Sequence, residues 1–274
     1  MVGMNIFKKG ALSLMTAAVA LLCSCNGFGP DLPEPEIPAD QIIAYTAGEQ
    51  TSPFATGAFL ATLKENNFTP EGEGGYGEMI FESTVYMAGA MAFMGRTSLW
   101  TIDLPAQVAS IGNKAFEGCT ALRRVEMLGD KVTILGPNAF YGCTSLEEFH
   151  IPDGVVEIFK DTFYNCKSLR TLTLGAGVEY IGDQAFYGCS SLESVEIPER
   201  VTFVGNKCFD GATSLREVII RGNRVLDIGS RAFVGNKAQE LTNLTIRVPA
   251  SLLSAYRSSF FWEAYVDCLE AIVE

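Results

Sequence analysis

From residue 99 onward the chain repeats one arrangement of apolar and polar positions about every 23 residues. Leu99-Trp-Thr-Ile-Asp-Leu104 opens a unit, and the same L-x-x-L-x-L spacing returns in later ones. A strand sends alternate side chains to opposite faces, so each such segment predicts a short strand with one buried and one exposed face. The segment from Leu169 to Ser191 aligns with that from Leu192 to Ser214 and with that from Leu99 to Ala121. Units begin at Tyr76, Leu99, Leu122, Leu146, Leu169, Leu192, Leu215 and Leu241, spaced 23, 23, 24, 23, 23, 23 and 26 residues apart. Phe93, Phe116, Phe140, Phe163, Phe186, Phe209 and Phe233 hold one position in this frame, and Ala92, Ala115, Ala139 and Ala185 precede four of them. Gly89, Gly112, Gly136, Gly182, Gly205 and Gly229 stand four residues before six of these phenylalanines, where a turn needs positive φ or a close backbone approach. Phe159 interrupts that glycine column.

A fixed period of 20–29 residues around L-x-x-L-x-L marks a leucine-rich-repeat solenoid. One unit cannot bury its apolar face alone, but stacked units lay equivalent side chains into continuous ladders. The expected architecture is a right-handed superhelix of stacked 23-residue repeats, made mainly of short parallel β-strands with turns and short helical segments. The pattern L-x-x-V-x-I-P-x-x-V-x-x-I-G-x-x-A-F-x-G-C-x-S resembles the BspA-like (Treponema-type) class of bacterial leucine-rich repeats, over about Tyr76 to Val248. Val248 to Tyr265, VPASLLSAYRSSFFWEAY, resembles the end cap of that family. The resemblance implies a secreted or surface-attached binding protein, often adhesive. The predicted organisation is an N-terminal cap at 39–75 with a strand at Gln41–Ala47, the solenoid at 76–248 as seven repeats plus a terminal strand, and a C-terminal cap at 249–274. Within that cap Ser251 to Arg257 reads as a short helix behind Pro249, and Trp262 covers the open face of the last repeat.

The N-terminus reads as an address. Lys8 and Lys9 precede an apolar run of 12 residues from Ala11 to Leu22, too short to span a bilayer and suited to a signal peptide at 1–24. Leu22-Cys23-Ser24-Cys25 resembles a bacterial lipobox, with Cys25 as the lipidated first residue and the route to a membrane. Residues 25–38 carry Pro30, Pro33, Pro35 and Pro38 with Asp31, Glu34 and Glu36, a stiff acidic tether. At about 3.1 Å per residue it reaches up to ~40 Å. The expected location is the bacterial cell envelope, as an outer-membrane lipoprotein exposed at the surface.

Composition narrows the chemistry. The 274 residues are 48% apolar and carry a formal charge of −12, which excludes a disordered chain and argues against nucleic-acid binding. The single histidine, His150, removes most hydrolase triads and histidine-rich metal sites. Of eight cysteines, Cys119, Cys143, Cys166 and Cys189 fall three residues after a spine phenylalanine. Stacked side chains point the same way and four ligands in a row cannot surround an ion, so these thiols read as small buried hydrophobes. Gly72 to Gly77 satisfies G-x-G-x-x-G but runs into strand-like Met79-Ile80-Phe81, so it is a turn rather than a nucleotide loop. No acid–base pair, metal set or cofactor site stands out, and the chain is expected not to be an enzyme.

The remaining candidates lie on the strand surface. Trp100, Thr101, Asp103, Arg124, Glu126, Glu148, His150, Thr171, Thr173 and Glu196, with Ser194, make a broad polar face for a protein or matrix partner. Trp100 is expected to stand exposed at its end. Arg123, Glu147, Arg170, Glu193 and Arg216 alternate in sign in successive strands and are expected to steady the register. Tyr141, Tyr164 and Tyr187 predict a stacked ladder, through packing rather than as a sugar platform. A glycan-binding accessory lipoprotein and a structural envelope scaffold are the alternative functions.

Overall fold

A computed structural model describes residues 37–53, 55, 57–233 and 243–273, so the readings for the signal peptide, Cys25 and most of the tether lie outside the described residues. Each repeat contributes two strands to two files. The first file holds β5 (Leu99–Leu104), β7 (Arg124–Met127), β9 (Glu148–His150), β11 (Thr171–Thr173), β13 (Ser194–Ile197), β15 (Glu217–Ile220) and β17 (Thr245–Val248). The second holds the two-residue strands β4 (Met87–Ala88), β6 (Ser110–Ile111), β8 (Ile134–Leu135), β10 (Glu157–Ile158), β12 (Tyr180–Ile181), β14 (Phe203–Val204) and β16 (Asp227–Ile228). Within the second file all seven strands pair in parallel in chain order, forming one sheet. The expected solenoid is therefore present, though among the described residues the segments between strands are turns and bends and helix is found only in the caps.

The spine phenylalanines form its core. All seven are fully buried, and consecutive ring centroids lie 5.1–5.8 Å apart with planes within 13° of parallel. Phe59 closes one end edge-on, 5.5 Å from Phe93; Trp262 and Tyr265 close the other, each 5.8 Å from Phe233. Side-chain ladders of this kind are the nearest-neighbour contacts from which a solenoid draws its stability.

The glycine column is explained by space, since none of its six members has positive φ. A Cβ on Gly136 would sit 2.5 Å from the Asn113 nitrogen, and one on Gly205 2.4 Å from that of Asp183. Phe159 sits in this column half-buried, so one turn accommodates a side chain. Left-handed backbone falls elsewhere. The residue two before each spine phenylalanine, Met91, Lys114, Asn138, Asp161, Gln184, Lys207 and Arg231, has φ of 54–58°. So do Gly95, Gly118, Gly142, Gly188 and Gly211, two residues after it, with φ of 71–79°, Asn165 taking the place of glycine in one unit.

The N-terminal cap continues the first file by antiparallel pairing. β2 (Leu63–Glu71) and β3 (Gly74–Phe81) form a hairpin, β3 pairs with β1 (Ile42–Ala47), and β1 pairs with β5. Tyr76, the first position in the repeat spacing, thus lies in an antiparallel arm. Gly72, at φ +61°, occupies the first position of the two-residue hairpin loop. At the other end a 3-10 turn (Ala250–Leu252), helix α1 (Leu253–Ser258), a 3-10 segment (Phe260–Cys268) and β18 (Leu269–Ala271) close the solenoid. Trp262 donates its indole N–H to the Leu226 carbonyl at 2.8 Å, and Tyr256 is hydrogen-bonded to Leu226 N and Arg224 O.

Candidate functional site

Parallel pairing puts the predicted polar residues into register. Thr101 lies opposite Arg124, Asp103 opposite Glu126, Glu148 opposite Thr171, and His150 opposite Thr173. Inward neighbours such as Ile102, Val125, Phe149, Leu172 and Val195 are buried, which fixes the outward side of each strand. Two columns result. One runs Thr101, Arg124, Glu148, Thr171, Ser194, Glu217 and Thr245; the other runs Asp103, Glu126, His150, Thr173, Glu196, Ile219 and Arg247. The strand pairing is interrupted between β7 and β9 and between β11 and β13, where the repeat spacing carries the columns on. Arg124, Glu148, His150, Thr171, Thr173 and Glu196 are exposed, whereas Thr101, Asp103 and Glu126 are half-buried.

The face extends further at both ends than the repeat frame indicates. Ala44 of β1 lies opposite both Asp103 and Glu78, and Thr46 lies opposite Thr101 and Tyr76. The Thr46 and Thr101 hydroxyls are 2.8 Å apart. At the far end Glu217, Arg247 and Glu270 join the columns. Only the antiparallel pairing of the cap brings the N-terminal additions alongside, which no repeat alignment encodes.

Charge is distributed unevenly over this face. Toward the C-terminal end the carboxylates are matched: Glu196 with Arg221 at 3.0 Å, Glu217 with Arg247 at 2.8 Å, and Glu270 with Arg247 at 3.9 Å. Toward the N-terminal end Arg124 holds Glu126 at 2.9 Å, while Asp103, Glu148 and Glu78 have no ion pair among the described residues. Burial raises the Asp103 carboxyl above its ordinary pKa, against the pull of the Arg124 charge and with a smaller push from Glu126. Thr171, Thr173 and Ser194 lie between these regions as a hydroxyl-lined stretch.

Trp100 lies at the N-terminal edge of this face, half-buried rather than fully exposed. Thr46 pairs with Thr101 and Ala47 with Leu99, leaving Trp100 as the extra residue of a β-bulge. Its half-buried indole lies over two glycines: a Cβ on Gly74 would fall 2.2 Å from the ring, and one on Gly48 3.5 Å away. Arg123 lies 5.9 Å from the ring centroid. The alternating charges beside Trp100 also behave differently from expectation, because no ion pair joins Arg123, Glu147, Arg170, Glu193 and Arg216. Arg216 instead donates to the Thr213 and Leu215 carbonyls. Register there comes from the backbone, as in Arg170 N–H to Glu147 O at 2.9 Å.

The other candidates are structural. Cys119, Cys143, Cys166 and Cys189 are buried and form no disulfide, each thiol lying 3.0–3.3 Å from the carbonyl of the spine phenylalanine one unit back. Burial pushes the Cys119 and Cys189 thiols up to about 12. Tyr141, Tyr164 and Tyr187 stack at 4.8 and 4.7 Å with planes within 12°, so the inner ring faces are covered by one another. Among the described residues no group of three or more His, Cys, Asp or Glu is placed to hold a metal ion. A shallow open hollow of about 370 Å³ lies beside the C-terminal ends of β7 and β9, lined by residues that include Glu126, Met127, Asp130, His150 and Asp153.

Two strand files, a ring-stacked core and register-matched outward columns define a leucine-rich-repeat solenoid. A family model described as "BspA type Leucine rich repeat region" matches in six copies across residues 75–190 and 133–264, and the chain belongs to that family. A T. pallidum leucine-rich-repeat protein of known structure is 33% identical, covering 54% of this chain and 68% of its own, with a TM-score of 0.51. One from Bacteroides ovatus is 30% identical, covering 69% of this chain and 46% of its own, with a TM-score of 0.52. A Faecalibacterium prausnitzii protein described as a leucine rich cell surface protein is 33% identical over 51% of this chain and 37% of its own, with a TM-score of 0.48. The chain therefore spans less than half the length of the last two. No curated protein matches it.

Proposed function

We propose that this protein is a non-enzymatic recognition module of the bacterial cell envelope, lipid-anchored through Cys25, that offers the β5–β17 face to a protein of the surroundings or the extracellular matrix. The observation that carries the reading is the pair of outward columns on the stacked first-file strands, held in register within each of its three sheets by parallel pairing. Side chains held by a rigid sheet need little ordering on binding, which lowers the cost of association. Within this reading the exposed face serves display, because an open solenoid surface leaves catalytic groups too well hydrated for strong pKa tuning. The sugar-binding alternative draws less support, since Trp100 lies on Gly74 and the tyrosines stack on each other.

The test is biolayer interferometry of the purified chain against a panel of purified matrix proteins. Glu148→Lys with Thr171→Arg places bulk and reversed charge at the centre of the face without touching the core. Binding to at least one panel member, weakened about tenfold or more in the double variant at unchanged melting temperature, is expected. Binding that the variant leaves intact overturns the assignment of the face. For the anchor, Cys25→Ser should move the chain from the membrane to the soluble fraction, and retention in the membrane overturns that part.

A further inference from the structure

The hollow beside β7 and β9 adjoins the recognition face, and its lining is chemically divided. Val125, Met127 and Pro152 supply an apolar floor, and Glu126, Asp130, His150 and Asp153 stand around it. Glu126 is engaged by Arg124, and the Asp153 carboxylate accepts the Ala176 N–H at 2.8 Å, which fixes its direction. Asp130 is exposed and has no ion pair among the described residues. Lys131, the next cation along the chain, is hydrogen-bonded to Gln107. Leu128, between two lining residues, is 57% exposed at the rim.

Each class of occupant meets this lining differently. An anionic group would be repelled by three carboxylates. A sugar ring would find no phenylalanine, tyrosine or tryptophan face among the lining residues. A purely apolar side chain would strip water from carboxylates without replacing their hydrogen bonds, which is unfavourable. A long cationic side chain satisfies both parts, laying its methylene stem on Met127 and Pro152 and bringing its head to Asp130 and Asp153.

We infer that this hollow receives a lysine or arginine side chain from an extended or looped segment of the protein partner, with an apolar neighbour on that segment meeting Leu128. The inference rests on the recognition role proposed above and names the chemistry that role selects. Charge complementarity then favours basic over acidic partner segments and makes the contact weaken as salt rises.

The chain's single histidine lines the hollow, so one imidazole proton signal in the NMR spectrum reports this site alone. The purified chain is titrated with acetyl-Leu-Lys-Leu-amide and, separately, with acetyl-Leu-Glu-Leu-amide. The lysine peptide is expected to move the His150 signal saturably at millimolar concentration, and the glutamate peptide to leave it in place. Asp130→Asn combined with Asp153→Asn keeps the acceptor for Ala176 N–H and should weaken lysine-peptide binding about three- to tenfold. A signal unmoved by the lysine peptide, moved equally by both peptides, or indifferent to the double substitution overturns the inference. Matrix binding still lost in the Glu148→Lys, Thr171→Arg variant would then show that the hollow reading alone had failed.

Discussion

Phe163 stands at the centre of the stacked core, so Phe163→Ala is the most informative single perturbation. Its ring lies 5.1 Å from Phe140, 5.2 Å from Phe186 and 4.9 Å from Phe149, and it is fully buried. Truncating a buried phenylalanine costs about 3–5 kcal/mol, and the backbone ladders on both sides limit how far the site can collapse. With a urea m-value of about 3 kcal/mol per molar, a loss of about 4 kcal/mol lowers the midpoint by about 1.3 M. The substitution also cuts the file into two blocks of three rings, and a chain stabilised by nearest-neighbour contacts should then unfold in parts. The two tryptophans are placed to detect this, Trp100 beside the N-terminal cap and Trp262 against Phe233. Trp100→Phe and Trp262→Phe backgrounds each leave one reporter, and urea unfolding is followed by fluorescence with and without Phe163→Ala. Coincident transitions in the parents and separated ones after the substitution are expected. A midpoint shift below about 0.3 M, corresponding to less than about 1 kcal/mol, would refute the reasoning that the ring file holds the units together.

Further consequences concern the thiols and the glycines. Cys119, Cys143, Cys166, Cys189 and Cys208 should resist Ellman's reagent at pH 8 in the folded chain and react at the rate of unfolding, which a timed absorbance assay with and without urea resolves. Folded thiols held near 12 against an ordinary 9.0 keep their protons while the unfolded chain loses its own, so their contribution is intact below pH 9 and lost progressively up to pH 12. Stability measured by urea titration should fall there by roughly 1.4 kcal/mol per pH unit for each such thiol. Gly136→Ala drives a Cβ against the Asn113 backbone and should cost about 1–3 kcal/mol, whereas Gly142→Ala meets open space at φ +71° and should cost about 1 kcal/mol, both read from melting curves. Gly74→Ala should displace the Trp100 indole and shift its emission maximum while leaving that of Trp262 unchanged.

The repeated features were legible because period and burial coincide. A phenylalanine every 23 residues has one place to go in a stack, and Thr101, Glu148 and Thr173 follow outward by strand alternation. What the period does not encode is what happens at its ends. Tyr76 keeps the repeat spacing yet lies in an antiparallel hairpin, because β1 covers the first strand and draws β3 with it. Trp100 occupies the column of Arg123 and Glu147, but a bulge lays its ring over two glycines from separate cap segments, so it stands half-buried on the face instead of projecting from it. The left-handed residues before each phenylalanine leave no signature in the sequence for another reason: Lys114, Asn138, Asp161 and Gln184 share neither size nor charge, and the turn's hydrogen bonds hold them there. The alternating charges fall on neighbouring strands, but adjacency in register does not fix where long side chains point.

In the proposed role, outward strand residues face the cell's surroundings while their inward neighbours pack the core. Thr171→Cys, Leu172→Cys and Thr173→Cys place one thiol at each of three successive positions of β11, over a background whose native ladder thiols are buried. Intact cells treated with a membrane-impermeant maleimide should label positions 171 and 173 and leave 172 and the unaltered chain unlabelled. Labelling at 172 as fast as at its neighbours, or at 171 and 173 only after the cells are lysed, would contradict the account.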